Sequence, residues 1–199
     1  ITHTHSDHMN ALGWLLHDLH YKPFVLIGDG EYDVPLAQNQ LGLRYGLTPS
    51  VIRIKDKQTL CVGNFVVKAC LAHHDTDYPL HYFISDGSQC VFVGCDTNEL
   101  SESALELISQ SDAVIIESNY SETVLSNLSD EHKKRLINYG HLSNSQIAKI
   151  KPYLKQVKRI CLVHINEELN NEKLIKKEVK WDFRYRICMP KDCPIITSV

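Results

Sequence analysis

The sequence lacks several features that would place the protein in a membrane or in an oxidising compartment. No apolar run approaches the length of a membrane span, and no secretory signal peptide can be recognised. None of the seven cysteines belongs to a Cys-x-x-Cys pair, and most of them lie within apolar runs. These absences predict a cytoplasmic protein with no membrane partner, whose cysteines are reduced, buried thiols without a catalytic role.

The sequence also does not begin with methionine, and it opens directly inside a motif that is rich in histidine. We therefore expect that an amino-terminal part of the domain is missing. The 199 residues, of which 43% are hydrophobic, are enough for one domain with a sizeable core. The prediction is a single domain over residues 1–199 that is incomplete at its amino terminus.

The opening motif, residues 1–8, places three imidazoles and one carboxylate close together. In an extended segment His3 and His5 point to the same side, so both can reach one metal ion. If a helix begins just before Asp7, then Asp7 and His8 point to a second position nearby, as a two-metal hydrolytic site requires. The alternative, a solvated histidine-rich terminus, fits poorly because the pattern of an amphipathic helix follows at once.

Hydrophobic periodicity predicts strands that alternate with helices along the whole chain. The triplet Asp86-Gly87-Ser88 is typical of a hairpin turn between two strands. Such a mixture indicates an α/β (α+β) fold in which two sheets lie between helices. The predicted helices cover 9–20, 31–41, 100–109, 121–138, 145–155 and 172–179, and the predicted strands cover 24–27, 51–54, 59–62, 65–71, 80–85, 89–94, 112–116, 159–163 and 182–187.

Four buried strands are predicted to end in a histidine or a carboxylate. These residues are His74, Asp96, Glu117 and His164, although the residues alone leave His73 as an alternative to His74. Four such placements predict a single rim of the sheet on which metal ligands converge.

Several segments carry a resemblance to a known family. They are the His-x-His-x-Asp-His motif of residues 3–8, His74-Asp75 with Pro79 and Tyr82, Cys95-Asp96-Thr97, Glu117-Ser118-Asn119 and Gly140-His141-Leu142-Ser143-Asn144. The sequence resembles the metallo-β-lactamase superfamily and, within it, the DNA-processing branch of YycJ/WalJ-type exonucleases. The segment His164–Asn171 departs from that branch, because Ile165-Asn166 replaces Leu-Ser and an extra residue separates the Asn pair.

The resemblance implies the αββα metallo-β-lactamase sandwich, lacking the amino-terminal strands that precede this motif in the family. It also selects His74 over His73. It assigns two divalent metal ions, Zn²⁺ or Mn²⁺, whose shared water would supply the hydroxide that attacks a phosphodiester. By resemblance, one ion would be held by His3, His5, His74 and Asp96, and the other by Asp7, His8, Asp96 and His164.

The same comparison nominates catalytic and substrate residues. The candidate catalytic residues are Asp7, His141 near the scissile phosphate, and Glu117 as a partner that orients His141. Ser143 and Asn144 either donate to phosphate oxygens or cap the following helix, and the residues do not decide between these roles.

Charge is distributed unevenly along the chain. Residues 1–129 contain 6 Lys/Arg and 16 Asp/Glu, whereas residues 130–199 contain 15 and 8. A basic half suits an enzyme that acts on a polyanion, and it nominates Lys149 and Lys151 as phosphate contacts. Ordinary solvated helix faces would explain the same asymmetry.

The sequence as a whole predicts a metal-dependent phosphodiester hydrolase with nucleic acid as its substrate. By resemblance it is a 5′-to-3′ DNA exonuclease. The alternatives are an RNA nuclease of the ribonuclease Z type, a thioester-type hydrolase of small molecules, and a metal-binding protein that has lost catalysis.

Overall fold

The computed structural model describes residues 1–5, 7–8, 24–30 and 50–190. The predicted helices 9–20 and 31–41 therefore lie outside the described residues. The strands are β1 (Phe24–Gly28), β2 (Ser50–Ile54), β3 (Thr59–Val62), β4 (Phe65–Leu71), β5 (Leu80–Ser85), β6 (Cys90–Gly94), β7 (Ala113–Glu117), β8 (Arg159–Val163) and β9 (Arg186–Ile187). The helices are α1 (Glu102–Ser109), α2 (Glu122–Ser126), α3 (Glu131–Gly140), α4 (Asn144–Lys149) and α5 (Glu172–Val179), with a 3₁₀ turn over Lys151–Tyr153.

The described strands form two sheets. One contains seven strands in the order β3-β4-β5-β6-β7-β8-β9, and the other pairs β1 with β2 in parallel. Strands β3 to β6 pair antiparallel, whereas β6 to β9 are parallel. Because β4 also runs parallel to β6, the carboxyl ends of β4, β6, β7 and β8 lie at one edge of the sheet. This edge is where the sequence predicts the metal ligands.

Hydrophobic side chains hold layers against both faces of the large sheet. On one face the small sheet contributes Ile54 to a cluster with side chains of β4 and β5. On the other face, helices α1, α4 and α5 pack against β6, β7 and β8. This larger core includes Phe92, Ala104, Leu107, Ile108, Val114, Ile116, Ile147, Ile160, Leu162, Ile175 and Val179.

The predicted hairpin is confirmed, since β5 and β6 pair antiparallel across Asp86-Gly87-Ser88. The Asp86 carboxylate accepts hydrogen bonds from the amides of Ser88 and Gln89, and Gly87 adopts φ 89°. A positive φ is the conformation that glycine provides without a steric penalty.

Two long helices predicted from periodicity are shorter in the structure. The predicted helix 121–138 is divided into α2 and α3, because the Asp130 side chain accepts from the Lys133 amide and starts a new helix. Helix α3 then continues through Gly140, so the predicted loop over 139–144 begins only at His141. The predicted helix 145–155 ends at Lys149, and Pro152, which lacks an amide hydrogen, lies in the 3₁₀ turn that follows.

Two strand predictions also need correction. Strand β7 begins at Ala113 and includes Glu117, one residue beyond the predicted end. The predicted strand 182–187 is reduced to Arg186–Ile187. The rings of Phe183 and Tyr185 instead pack on Trp181, with centroids 5.2 and 5.3 Å from its ring, which draws this segment away from the ladder.

The cysteines are less buried than their apolar neighbours predict. Of the six that the structure describes, only Cys70 is fully buried, and Cys61 is exposed. None of the six forms a disulfide, although the Cys161 and Cys188 sulfur atoms lie 3.0 Å apart. Within the described ranges, no helix has the length and apolar character needed to cross a membrane.

Candidate metal centre

Four segments bring polar side chains to the edge at which the parallel strands end. The amino-terminal segment reaches this edge because its backbone is held between the two sheets. The Ile1 amino group donates to the Leu26 carbonyl of β1, and the Leu80 amide of β5 donates to the Thr2 carbonyl. The segment thus lies beside the residues that follow β4, β6 and β8.

The first ligand group consists of His3, His5, His74 and Asp96. One donor atom from each lies within 4.8 Å of the others. His3 Nε2 is 3.2 Å and His74 Nε2 is 3.6 Å from Asp96 Oδ2, while His5 Nδ1 is 3.2 Å from His74 Nε2. Three imidazoles and one carboxylate form a donor set that suits a divalent transition metal.

His74, and not His73, faces this group. The His74 side chain is 4% exposed, and its Nδ1 lies 3.0 Å from the Gly140 carbonyl, which leaves Nε2 for a metal. A Cβ on Gly140 would come within 3.2 Å of the His74 ring, so glycine permits this approach. His73 is 44% exposed and contacts Glu99 instead.

The second ligand group consists of Asp7, His8, Asp96 and His164, again within 4.8 Å of one another. His8 Nε2 lies 3.1 Å from Asp96 Oδ2, and His164 Nδ1 lies 3.0 Å from Asp96 Oδ1. Asp7 Oδ2 is 3.5 Å from His164 Nε2. Asp96 is therefore shared by both groups, and its two oxygens face different sets of histidines.

A third cluster contains Asp96, Glu117, His141 and His164. Glu117 is completely buried at the end of β7, where Oε1 accepts from the Thr97 amide at 2.8 Å. Its Oε2 lies 3.0 Å from His141 Nδ1. This contact fixes the His141 ring and leaves its Nε2 available to another group.

The backbone at two of these residues is unusual. Asp96 has φ 54° and His164 has φ 52°, in the left-handed region that non-glycine residues rarely adopt. The Asn119 amide group donates to the His164 carbonyl at 2.9 Å and supports this conformation. Such backbone strain concentrates at functional sites, where surrounding contacts maintain it.

The electrostatics of the centre favour the ligand forms of His3, His74 and Asp96, whereas the pKa of His164 is shifted in the opposite direction. Burial lowers the pKa values of His3 and His74, which keeps both imidazoles neutral. Burial would raise the pKa of Asp96, but contacts with His164, His3 and His8 hold that pKa well below its usual range. Burial opposes a charge on His164, yet Asp96 and Glu117 raise its pKa to about 10.

The residues fit a metal by a further criterion. His3 Nε2 and His8 Nε2 are buried and, among the described residues, have no hydrogen-bond partner, although both approach Asp96. A buried polar atom without a partner is costly unless something binds it. A divalent cation between these lone pairs and the Asp96 carboxylate would remove that cost.

The four candidate phosphate contacts lie in different environments. The Ser143 side chain is buried and forms a capping box with Gln146 at the start of α4, and the Asn144 side chain is buried as well. Of the two roles left open by the sequence, Ser143 has the capping one, and Asn144 serves a buried network. Lys151 forms an ion pair with Asp182, whereas Lys149 is exposed.

Sequence reasoning missed the residues that orient the ligands. These are Thr2, whose hydroxyl lies near His3 and His8, Asn119 beside His164, and Thr97 beside Glu117. Thr2 and Thr97 stand directly next to predicted ligands in the chain, and Asn119 belongs to a recognised motif. The small polar side chains of Thr2 and Asn119 were the available signal, whereas Thr97 holds Glu117 through its backbone amide, which no side-chain pattern reveals.

Comparison with known proteins agrees with this geometry. A family model described as a beta-lactamase superfamily domain matches residues 1–165. The exodeoxyribonuclease YycJ of Bacillus anthracis is 23% identical over 193 residues, covering 90% of this chain and 67% of that protein. The exodeoxyribonuclease WalJ of Streptococcus pneumoniae serotype 2 (strain D39 / NCTC 7466) is 26% identical over 180 residues, covering 87% and 65%.

A solved structure shares the fold. The metallo-beta-lactamase fold protein YhfI from Bacillus subtilis superposes with a TM-score of 0.66 at 19% identity, covering 94% of this chain and 72% of that one. The chain spans about two thirds of the length of the two curated relatives. The match over most of the sequence, together with the αββα architecture, shows that the chain belongs to the beta-lactamase superfamily, as a hydrolase of the metallo-β-lactamase fold.

Proposed function

We propose that the chain is a metal-dependent phosphodiesterase that degrades DNA from the 5′ end. The observation that carries this proposal is the pair of ligand groups that share Asp96. Two adjacent cations are typical of enzymes that hydrolyse phosphodiesters, because they can stabilise both the attacking and the leaving oxygen. The names of YycJ and WalJ as exodeoxyribonucleases support DNA as the substrate class.

In this proposal, one cation would be held by His3, His5 and His74, the other by His8, Asp7 and His164, and Asp96 would serve both ligand groups. The cations would be Zn²⁺ or Mn²⁺, and they would supply Lewis-acid charge and lower the pKa of a water molecule. The Asp7 carboxylate is 63% exposed, so it faces the open side of the centre. There it can accept a proton from the attacking water as well as bind metal.

His141 is the proposed general acid. Its Nδ1–H donates to the buried Glu117, and in the imidazolium form the Nε2–H can pass its proton to the leaving oxygen, which leaves a neutral ring with its hydrogen on Nδ1. Glu117 cannot move easily, because the Thr97 amide holds its other oxygen. It thus serves as a positioning residue for His141. Lys149, which is exposed, would contact a substrate phosphate outside the centre.

The substrate class can be tested directly. Duplex and single-stranded DNA labelled at either end, matching RNA, and a thioester should each be incubated with protein loaded with Mn²⁺ or Zn²⁺. We expect rapid loss of a 5′ label, and we expect a strand labelled at its 3′ end to keep the label while it shortens gradually. A chelator should abolish both effects. Cleavage of RNA alone or of the thioester alone would support those alternatives, and metal binding without any cleavage would support the inactive one.

Replacement of His141 by alanine separates chemistry from metal retention. His141→Ala should lower turnover by roughly 10²–10⁴-fold, because a general acid contributes about that much. Its metal content, measured by elemental analysis, should equal that of the wild type. The matched control is His73→Ala, a nearby exposed histidine, which should leave turnover unchanged. Loss of metal in His141→Ala would make His141 a ligand and would contradict its role as an acid.

A further inference from the structure

One hydroxyl lies between the two ligand groups. Thr2 Oγ1 is 3.2 Å from His3 Nδ1 and 3.3 Å from His8 Nδ1. His3 belongs to the first group and His8 to the second. The two rings are neighbours, with centroids 4.1 Å apart. A single side chain thus touches one ligand of each proposed cation.

The opposite nitrogen of each ring faces the centre. His3 Nε2 and His8 Nε2 lie 3.2 and 3.1 Å from Asp96 Oδ2. If Nε2 binds metal in the neutral ring, the ring hydrogen must be on Nδ1. Both Nδ1–H groups then point toward the same threonine oxygen, which has two lone pairs and can accept from both.

The backbone that carries this oxygen is held on both sides of Thr2. The Thr2 carbonyl accepts from the Leu80 amide at 2.9 Å, and the preceding Ile1 carbonyl accepts from the Tyr82 hydroxyl at 2.7 Å. Thr2 is therefore anchored to β5 independently of the histidines. Its hydroxyl can orient both rings, because the backbone that carries it is held by β5 and not by them.

We propose that Thr2 is a positioning residue that sets the metal-binding tautomer of one histidine in each ligand group. The inference rests on the proposed two-metal centre and assigns Thr2 a role in both halves of it. Residues that hydrogen-bond to a ligating histidine typically contribute 10- to 100-fold to metal affinity. Because one oxygen serves two ligands, its loss weakens both cation sites together.

The test is a metal titration, which needs no substrate. Zn²⁺ affinity of the chelator-treated protein is measured by competition with a chromophoric chelator for the wild type, Thr2→Val and Thr2→Ser. Valine keeps the shape of threonine but has no hydroxyl, whereas serine keeps the hydroxyl. We expect Thr2→Val to weaken both binding steps by about 10- to 100-fold and Thr2→Ser to remain within about threefold of the wild type.

Thr76→Val is the matched control, since it makes the same change close to His74. Within the described part of the chain, the Thr76 hydroxyl has no hydrogen-bond partner. Its affinity should equal that of the wild type. Circular dichroism of the metal-free proteins monitors folding, and Thr2→Ala, which also lacks the hydroxyl, replaces Thr2→Val if that variant is misfolded.

The outcomes separate this inference from the proposed function. A wild type that binds no metal would remove the proposed centre itself. A wild type that binds two ions, with Thr2→Val equal to it, would overturn the role of Thr2 alone. Equal weakening by Thr2→Val and Thr2→Ser would also overturn it, because the methyl group and not the hydroxyl would then be responsible.

Discussion

His81 is a fully buried histidine that belongs to neither ligand group. It lies in β5, and neither ring nitrogen has a hydrogen-bond partner in the part of the chain that the structure describes. Burial lowers the pKa of His81 to about 4. The neutral ring is therefore retained in the folded protein under conditions in which the unfolded chain would bind a proton.

This difference predicts a loss of stability in acid. A histidine in the unfolded chain has a pKa of about 6.5. The stability that the neutral His81 ring retains is therefore fully present above pH 6.5 and is lost as the pH falls towards 4. At pH 5 the loss amounts to about 2 kcal/mol. Leucine at position 81 cannot titrate. When the pH is lowered from 7.5 to 5, the free energy of unfolding of His81→Leu should therefore fall by about 2 kcal/mol less than that of the wild type.

Urea unfolding of chelator-treated protein measures this difference without interference from metal loss. His132→Leu, on the exposed surface of α3, serves as the matched control and should follow the wild type. If His81→Leu shows the same pH dependence as the wild type, the His81 ring is protonated or solvated in the folded state, and the prediction fails.

The ligand residues could be predicted because they are chemically distinctive and closely spaced. Histidine and aspartate within residues 3–8, and polar residues after apolar runs, can be recognised without coordinates. The tautomers and the positive φ angles at Asp96 and His164 could not, because they depend on contacts between distant segments. The hydroxyl of Thr2 illustrates this limit, since its importance depends on where β5 anchors the backbone.

Among the elements, three motif segments are joined by a buried amide network. The Asn170 side-chain amide donates to the Ser118 carbonyl and to Asn144 Oδ1, both at 2.8 Å. Asn144 in turn donates to Glu178 of α5 at 2.8 Å and accepts from the Ser118 hydroxyl at 2.7 Å. The network ties together the segments that carry Glu117, His141 and His164.

The network predicts a large cost for one small truncation. Asn170→Ala would leave the Ser118 carbonyl and the Asn144 amide buried without their partner. We expect a loss of about 2 to 3 kcal/mol in the free energy of unfolding, measured in urea. Asn127→Ala, on an exposed helix end, is the control and should cost under about 0.5 kcal/mol. Similar losses in the two variants would show that the network contributes little to stability.

Periodicity located most of the described helices and strands but misplaced several ends. The break between α2 and α3 follows from Asp130, whose side chain accepts from the Lys133 amide, a local signal weaker than the apolar repeat around it. The shortened β9 depends on the packing of three aromatic rings, which no local pattern reveals. The strand order was likewise beyond reach, because it depends on pairings between distant segments.

For the whole molecule, ion pairs neutralise part of the positive charge carried by residues 130–199. Lys133, Lys151 and Lys176 pair with Glu168, Asp182 and Glu172 respectively. Lys149 and Lys155 are exposed, and no ion pair between either of them and a described residue is found. The basic half therefore has fewer cations available for a polyanion than its composition indicates.

These two lysines should govern the salt dependence of DNA binding. Each phosphate contact contributes about −0.9 to the log–log slope on duplex DNA, so Lys149→Gln with Lys155→Gln should flatten it by about 1.8. Binding measured by fluorescence anisotropy should weaken equally across sequences, because phosphate contacts carry no sequence information. Hydrolysis of a small phosphodiester reporter should not change.

The control removes the same number of charges at positions that form ion pairs. It combines Lys134→Gln with Lys176→Gln, whose partners are Glu131 and Glu172. Its slope should remain close to that of the wild type. If both double variants keep the wild-type slope, the exposed lysines form only a solvated surface, and DNA must be bound elsewhere.

The left-handed backbone at Asp96 and His164 has a consequence for laboratory evolution. A non-glycine residue in this conformation costs on the order of 1 kcal/mol, which glycine would recover. At position 164, however, glycine would also remove a ring that contacts the buried carboxylates of Asp96 and Glu117. A library selected only for heat resistance, even in a chelating buffer, should therefore retain histidine at position 164. Glycine should accumulate instead at the exposed Lys180, which ends α5 with φ 50°. Relief of backbone strain by selection would thus stop at the residues whose side chains build the centre.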